Sequence, residues 1–173
     1  AHKRSSSIPN SLKISLIAIS ASAILTLAIL VLSGSVKFIP SQIVPITGMI
    51  AGNAMTTIGL CYRNLNSLFR DQRQQILEKL SLGANPNQAS RTILRETIKS
   101  GMQPSLDSAK TVGIVSLPGM MSGLMFAGTV PMTAIMYQIM VTFMLVAATS
   151  ISSYIASFLA YREFYNDRQQ LRV

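Results

Sequence analysis

The run Ile14-Ser-Leu-Ile-Ala-Ile-Ser-Ala-Ser-Ala-Ile-Leu-Thr-Leu-Ala-Ile-Leu-Val-Leu32 decides what kind of protein this is. No charge interrupts it, and a helix of about 20 apolar residues is what crosses the ~30 Å hydrocarbon core of a bilayer. Its Ser15, Ser20, Ser22 and Thr26 are small hydroxyl residues, which allow helices to approach closely in a membrane. Before it lies a basic flank, Lys3, Arg4 and Lys13, with the single histidine, His2. The run is too long for a signal peptide and no small-residue cleavage site follows it. The chain opens inside this basic flank without Met, which leads us to expect further sequence upstream.

Three more charge-free stretches follow. A short loop with Ser33-Gly34-Ser35, Lys37 and Pro40 leads to a second span, roughly Ser41 to Tyr62, interrupted by Pro45, Gly48, Gly52, Asn53 and Gly59. A third runs from about Thr111 to Gly128, again rich in breakers (Gly113, Pro118, Gly119, Gly123). After Val130-Pro131 a fourth runs from about Ala134 to Tyr161 and ends in Tyr154, Phe158, Tyr161, Phe164 and Tyr165, an aromatic belt of the kind found at membrane interfaces. Over the whole chain, 173 residues are 49% hydrophobic but only 12% charged, where a soluble domain carries about 25%. The expected fold class is therefore all-α, a polytopic transmembrane helical protein with four spans.

The intervening segment, 63–110, differs in kind. It holds eight basic residues (63, 70, 73, 79, 91, 95, 99 and 110) and four acidic ones (71, 78, 96 and 107). Leu65, Leu68, Phe69, Ile76 and Leu80 recur at helical spacing, so an amphipathic helix is predicted. Gly83-Ala84 ends it, and Asn85 caps a second helix with Pro86 at its first position, where a missing N–H costs little. Ala89, Ile93, Thr97, Ile98 and Met102 give this second helix its apolar stripe, and Gly101 and Pro104 are expected to close it. The prediction is a helix–turn–helix on one side of the membrane. Fourteen basic residues then fall on one side and only Lys37 on the other, which sets both ends of the chain in the cytoplasm by the positive-inside rule.

The net charge of +9 does not point to nucleic acid, because the cations sit between apolar spans and no zinc-binding or RNA-binding signature accompanies them. One cysteine, Cys61, excludes an internal disulfide. No nucleophile–base pair, phosphate loop or metal-ligand cluster is present, so no catalytic site and no cofactor bound by this chain are expected. No Asp, Glu, Lys, Arg or His falls inside the four predicted spans, whereas ion-coupled transporters use such groups. Energy is thus expected from a separate chain.

The candidate path residues are Asn53, Ser116 and Gln138, with Ser122 and Thr142 beside them. Asn53 and Ser116 adjoin backbone broken by glycine or proline, where freed carbonyls can bind cations. Each can equally bond a neighbouring helix. Seven of the ten methionines lie between 120 and 144. Met132, Met136, Met140 and Met144 are four apart, and with Met120 and Met121 they offer thioethers that suit soft ions such as Cu(I) or, more plainly, adaptable packing. Arg91, Arg95 and Lys99 make one basic ridge, available to an acidic partner, to anionic lipid or simply to solvent. The turn Glu78-Lys-Leu-Ser-Leu-Gly83-Ala84-Asn85-Pro86 is similar to the Gly-Ala-x-Pro part of the elbow by which ABC permeases engage their ATPase. It lacks the preceding Glu-Ala-Ala and the following Leu-Pro, and an amphipathic loop on the membrane surface would look much the same.

Five stretches in order, Gly48-Met-Ile-Ala-Gly-Asn-Ala-Met55, Glu78-Lys-Leu-Ser-Leu-Gly-Ala84, Asp107-Ser-Ala-Lys-Thr-Val-Gly113, Ser116-Leu-Pro-Gly-Met-Met-Ser-Gly123 and Tyr137-Gln-Ile-Met-Val-Thr-Phe-Met144, resemble the FetB family of bacterial iron-export permeases, which also includes the plant aluminium-sensitivity half-transporters. The resemblance covers nearly the whole chain. It implies a single ABC-permease-like domain over 1–173 with 63–110 as its coupling loop, about three further spans upstream, and a location in the bacterial inner membrane. It also implies a FetA-like ATPase partner that carries ATP and Mg, iron efflux, and a role in resistance to oxidative stress. A permease homodimer with two ATPase subunits would be the working unit, with Glu78, Gly83, Ala84, Asn85, Pro86, Arg91 and Arg95 facing the ATPase. No metal ligands transfer from the family, so the metal site stays open. The competing reading is a passive channel or secondary transporter for a small cation.

Overall fold

The computed structural model describes residues 11–34, 38–112, 119–166 and 170–171. Three helices among them are long and apolar enough to cross a membrane. The first, α1, is Ser11–Leu32. Its serine hydroxyls turn back on their own backbone, Ser15 Oγ donating to Ser11 O (2.8 Å) and Ser22 Oγ to Ile19 O (3.0 Å), so these polar groups are satisfied within the helix, whereas the buried Thr26 Oγ1 has no partner among the described residues. The second, α2, is Pro40–Asp71, with Pro40 in its first turn and Pro45 inside it. At 32 residues it is about 48 Å long, so it continues well past Tyr62, where the sequence reading ends the span. Leu65 and Phe69, expected in a separate cytoplasmic helix, are its last turns. Only at Gln72 does the chain bend into α3, Arg73–Ser81.

The helix α4 is Pro86–Thr111. Neither Gly101 nor Pro104 ends it, contrary to expectation. Gly101 is needed for a different reason: its bare Cα lies against the Cys61 sulfur of α2, with Ser153 of α6 and Thr57 of α2 beside it. The residues between α4 and α5, 113–118, lie outside the described part. What the sequence suggests as a third span is helical, among the described residues, only in α5, Gly119–Phe126. Eight residues rise about 12 Å, too little to cross a bilayer alone. The last long helix, α6, is Pro131–Ala160, followed by a 3₁₀ turn over Tyr161–Phe164.

These elements pack at two levels. At one end of the bundle, Ile14, Leu65, Phe69, Ile76, Ala89, Ile93, Leu94, Ala160, Tyr161 and Phe164 form a continuous core. The start of α1, the end of α2, α3, the start of α4 and the end of α6 therefore meet there, together with Lys13, Arg63, Arg70, Arg73, Lys79, Arg91 and Arg162. Three members of the expected aromatic belt turn inward instead: Tyr161 is buried in this core, Phe164 is buried and stacks on Phe69 with ring centroids 4.3 Å apart, and Tyr165 meets the same ring edge-on. Tyr154 does remain exposed. Towards the other end, Leu30, Ile46, Ile50, Val141, Met144 and Ala148 make a second core.

Between the two, α4 packs into the bundle. Its buried face (Ala89, Ser90, Ile93, Leu94, Thr97 and Gly101) lies against α2 and α6. The face that α6 offers is built of small residues, among them Ala148, Thr149, Ser152, Ser153, Ala156 and Ser157, which lets the helix axes come close. Cys61 Sγ reaches the Thr97 carbonyl at 3.9 Å across this contact.

Candidate functional site

A pocket of about 310 Å³ opens where α2, α4 and α6 converge. From α2 come Asn53, Thr56, Thr57 and Leu60; from α4 Pro104, Ser105, Ser108, Ala109 and Thr111, with its C-cap Val112; from α6 Gln138, Thr142 and Leu145. The walls thus combine aliphatic surface with neutral oxygen-bearing groups.

Gln138 is the most informative of these. It is 7% exposed, and its Oε1 is buried with no hydrogen-bond partner among the described residues. Its orientation follows from the neighbouring threonine. Thr142 Oγ1 donates to the Gln138 backbone carbonyl (2.8 Å), so its lone pairs face the amide and accept from Gln138 Nε2 (3.3 Å). That leaves the carbonyl end of the amide as the unengaged one. A buried amide oxygen left without a donor is costly, and a bound ligand able to accept its lone pairs, such as a cation, would remove that cost. Asn53 Nδ2 donates to the Met49 carbonyl at 2.9 Å. This fixes the amide on its own helix while the residue contributes to the pocket wall.

Of the residues singled out from sequence, Asn53 and Gln138 are brought together here, with Thr142. Ser116 lies outside the described residues. Met120, Met121 and Met140 do not line the pocket; Met120 and Met140 pack, half-buried, against the second core. The methionine series of α6 does not hold one face. Steps of four residues drift by about 40° each on a helix with 3.6 residues per turn, so Met132 and Met136 are exposed while Met144 is buried. The α4 contribution, Ser105, Ser108 and Thr111, was not anticipated, because the sequence reading ends that helix at Gly101 and Pro104.

At the far end of α4 the α3–α4 turn has the expected chemistry. Gly83 takes φ +89°, the left-handed region that glycine adopts freely. Ala84 N–H donates to the Lys79 carbonyl and Gly83 N–H to the Leu80 carbonyl, both at 3.0 Å, the two bonds of a Schellman cap. Asn85 N–H donates to Gln88 Oε1 at 3.1 Å, locking the start of α4. Leu82 stands 87% exposed at the tip, beside Gly83, with Glu78 exposed on α3 and Arg91 and Arg95 exposed on α4. Nearby, Ser90 hydrogen-bonds the Tyr165 hydroxyl; burial pushes that phenol above its ordinary range, and the Ser90 bond pulls partly the other way.

The description of the family whose model matches residues 1–165 is "Uncharacterised protein family (UPF0014)". The chain belongs to this family. Among UPF0014 relatives, the Escherichia coli K12 protein named "Probable iron export permease protein FetB" is 58% identical over 173 residues, all of this chain and 67% of that protein. The rice membrane protein STAR2 is 36% identical over 171 residues, 99% of this chain and 60% of its own length. The Arabidopsis protein ALUMINUM SENSITIVE 3 is 35% identical over 172 residues, 99% of this chain and 63% of its own. The chain thus spans roughly three-fifths to two-thirds of these UPF0014 proteins. No solved structure matches it.

Proposed function

We propose that this chain is the greater part of a permease subunit that exports a metal ion, iron in the first instance, from the cytoplasm, driven by a separate ABC ATPase that holds ATP and Mg. The observation that carries the reading is the pocket between α2, α4 and α6, with the Gln138 side-chain carbonyl buried in its wall and without a partner among the described residues. Neutral oxygen donors suit hard and borderline cations, and weak ligands suit a carrier that must release its cargo. The name of the E. coli relative supports iron as cargo. The concentration of Lys and Arg at the α3 end supports that end, and with it both termini of this chain, being cytoplasmic in the bacterial inner membrane.

Coupling would enter at the α3–α4 turn. Its exposed Leu82, its left-handed Gly83 and the flanking Glu78, Arg91 and Arg95 make a protruding elbow suited to a groove on an ATPase. A homodimer of permeases with two ATPases is the working assembly. The test is to purify the full-length protein gently from its host, identify the ATPase that accompanies it, and reconstitute both in liposomes. ATP-driven metal movement should be lost in Gly83→Pro, since proline cannot adopt φ +89°, and reduced about tenfold or more in Gln138→Leu. ATP-independent flux would instead favour a passive channel or secondary transporter.

A further inference from the structure

Two charges of α4, Asp107 and Lys110, stand among residues that line the pocket. The helix runs antiparallel to α2, with Thr97 against Cys61 and Gly101 against Thr57. Six residues beyond Gly101, or about 9 Å along the axis, Asp107 stands level with the neighbourhood of Ala51 on α2. That is about 12 Å along α2 from Ile43, where its segment long and apolar enough to cross a membrane begins. Asp107 is flanked in sequence by Ser105, Ser108 and Ala109, all of which line the pocket. Charge at such a depth is rare and faces a water-filled cavity or a protein interior when it occurs. Here the Asp107 and Lys110 side chains are 55% and 72% exposed, and their mutual approach is only 3.9 Å. Neither is taken up by the bundle. Gln103 Nε2 donates to Asp107 Oδ1 at 2.9 Å, and Lys99 is exposed a further turn back. Lys99, Gln103 and Asp107, spaced four apart, extend one polar strip from the basic end of the bundle to the level of the pocket.

We propose that this strip of α4 lines a water-filled cavity at membrane depth, and that Asp107 is the carboxylate that draws a divalent cation towards the pocket that Gln138 helps to line. The inference deepens the transport reading and rests on it. Lipid is a poor neighbour for Asp107 and Lys110 together, whereas water and an ion serve both. In the cation-free state Lys110 is the counter-ion of Asp107; an arriving cation takes over that role and the lysine swings away into water. The carboxylate supplies charge at the approach, and the uncharged donors beyond it hold the ion loosely enough to leave. The side-chain carbonyl of Gln138, a residue more than nine-tenths buried, has no partner among the described residues and marks the direction in which the ion goes.

The test uses the full-length permease with its cysteines replaced by alanine. Gln103→Cys, Asp107→Cys and, as an outward apolar control on α6, Phe143→Cys are exposed in native membranes to a charged, membrane-impermeant thiol reagent. Positions 103 and 107 should label at least tenfold faster than 143. In detergent, with Mn²⁺ as the probe, Asp107→Asn should weaken binding at least tenfold, Asp107→Glu should largely retain it, and Lys110→Met should leave it equal or tighter. Labelling at 107 no faster than at 143, or Mn²⁺ binding unchanged in Asp107→Asn, would overturn the proposal. Wild-type protein that neither binds nor moves Mn²⁺ sinks the transport reading itself. Wild-type transport matched by Asp107→Asn removes only the role given to Asp107.

Discussion

Gly101 offers a sharp test of how α4 is seated. A methyl group built on its Cα would stand within 3.0 Å of the Cys61 sulfur, with Ser153 Cβ at 3.5 Å and Thr57 Cγ2 at 3.6 Å. Alanine is the better helix former by about 1 kcal/mol, so an open site would make Gly101→Ala stabilising. Here overpacking should cost about 1–3 kcal/mol, because Cys61 is fully buried and its sulfur has little room to swing. The net expectation is a loss of roughly 0–2 kcal/mol. Cys61→Ala alone gives up one buried heavy atom, on the order of 1 kcal/mol. In the double variant the clash is gone and the helix gain is recovered, so the two changes should not add. The coupling expected from a double-mutant cycle is about 1–3 kcal/mol in favour of the pair. Reversible denaturation in mixed micelles, followed by circular dichroism, measures all four corners. A Gly101→Ala protein more stable than wild type, or a coupling below about 0.5 kcal/mol, would refute the placement of α4 against α2.

Three further outcomes follow from the basic end of the bundle. Phe69→Ala removes a fully buried ring stacked on Phe164 and should cost about 3–5 kcal/mol in the same assay, whereas Tyr154→Ala, exposed on α6, should cost far less. Ser90→Ala leaves the Tyr165 hydroxyl without its partner and should cost about 1 kcal/mol. Because burial raises the Tyr165 pKa, the stability held by its neutral phenol is complete below the ordinary tyrosine pKa of about 10 and is lost as pH climbs through the higher folded-state value. Denaturation midpoints between pH 8 and 11 should therefore fall more steeply in wild type than in Tyr165→Phe.

Much of this architecture was legible because lipid imposes simple demands. α1 and α6 follow from charge-free runs, and the Gly83–Pro86 turn follows from residue chemistry that admits few backbone conformations. Gly101 and Pro104 read as helix breakers, so the sequence ends α4 there, whereas the structure continues it to Thr111. Its apolar face is narrow and made of Ala, Ser, Thr and Gly, which hydropathy hardly registers but which fits the equally small face of α6. With α4 ended at Gly101 and Pro104, Ser105, Ser108 and Thr111 are invisible as pocket residues, while Asn53 and Gln138 can be found as polar groups in apolar helices. Phe164 and Tyr165 looked like interface anchors because sequence alone does not reveal that Phe69 waits for them.

The continuity of α4 has a geometric consequence. One uninterrupted helix carries both the Gly83 turn at its head and the Ser105–Val112 wall at its tail, so the two are held in a fixed rotational phase. Inserting a single residue between 95 and 100 would advance the tail by about 1.5 Å and turn it by about 100°. Composition, hydropathy and the turn itself would be almost unchanged, yet Ser105 and Ser108 would point away from Gln138. The length of this helix is therefore as much a specification of the pocket as the identity of any residue lining it.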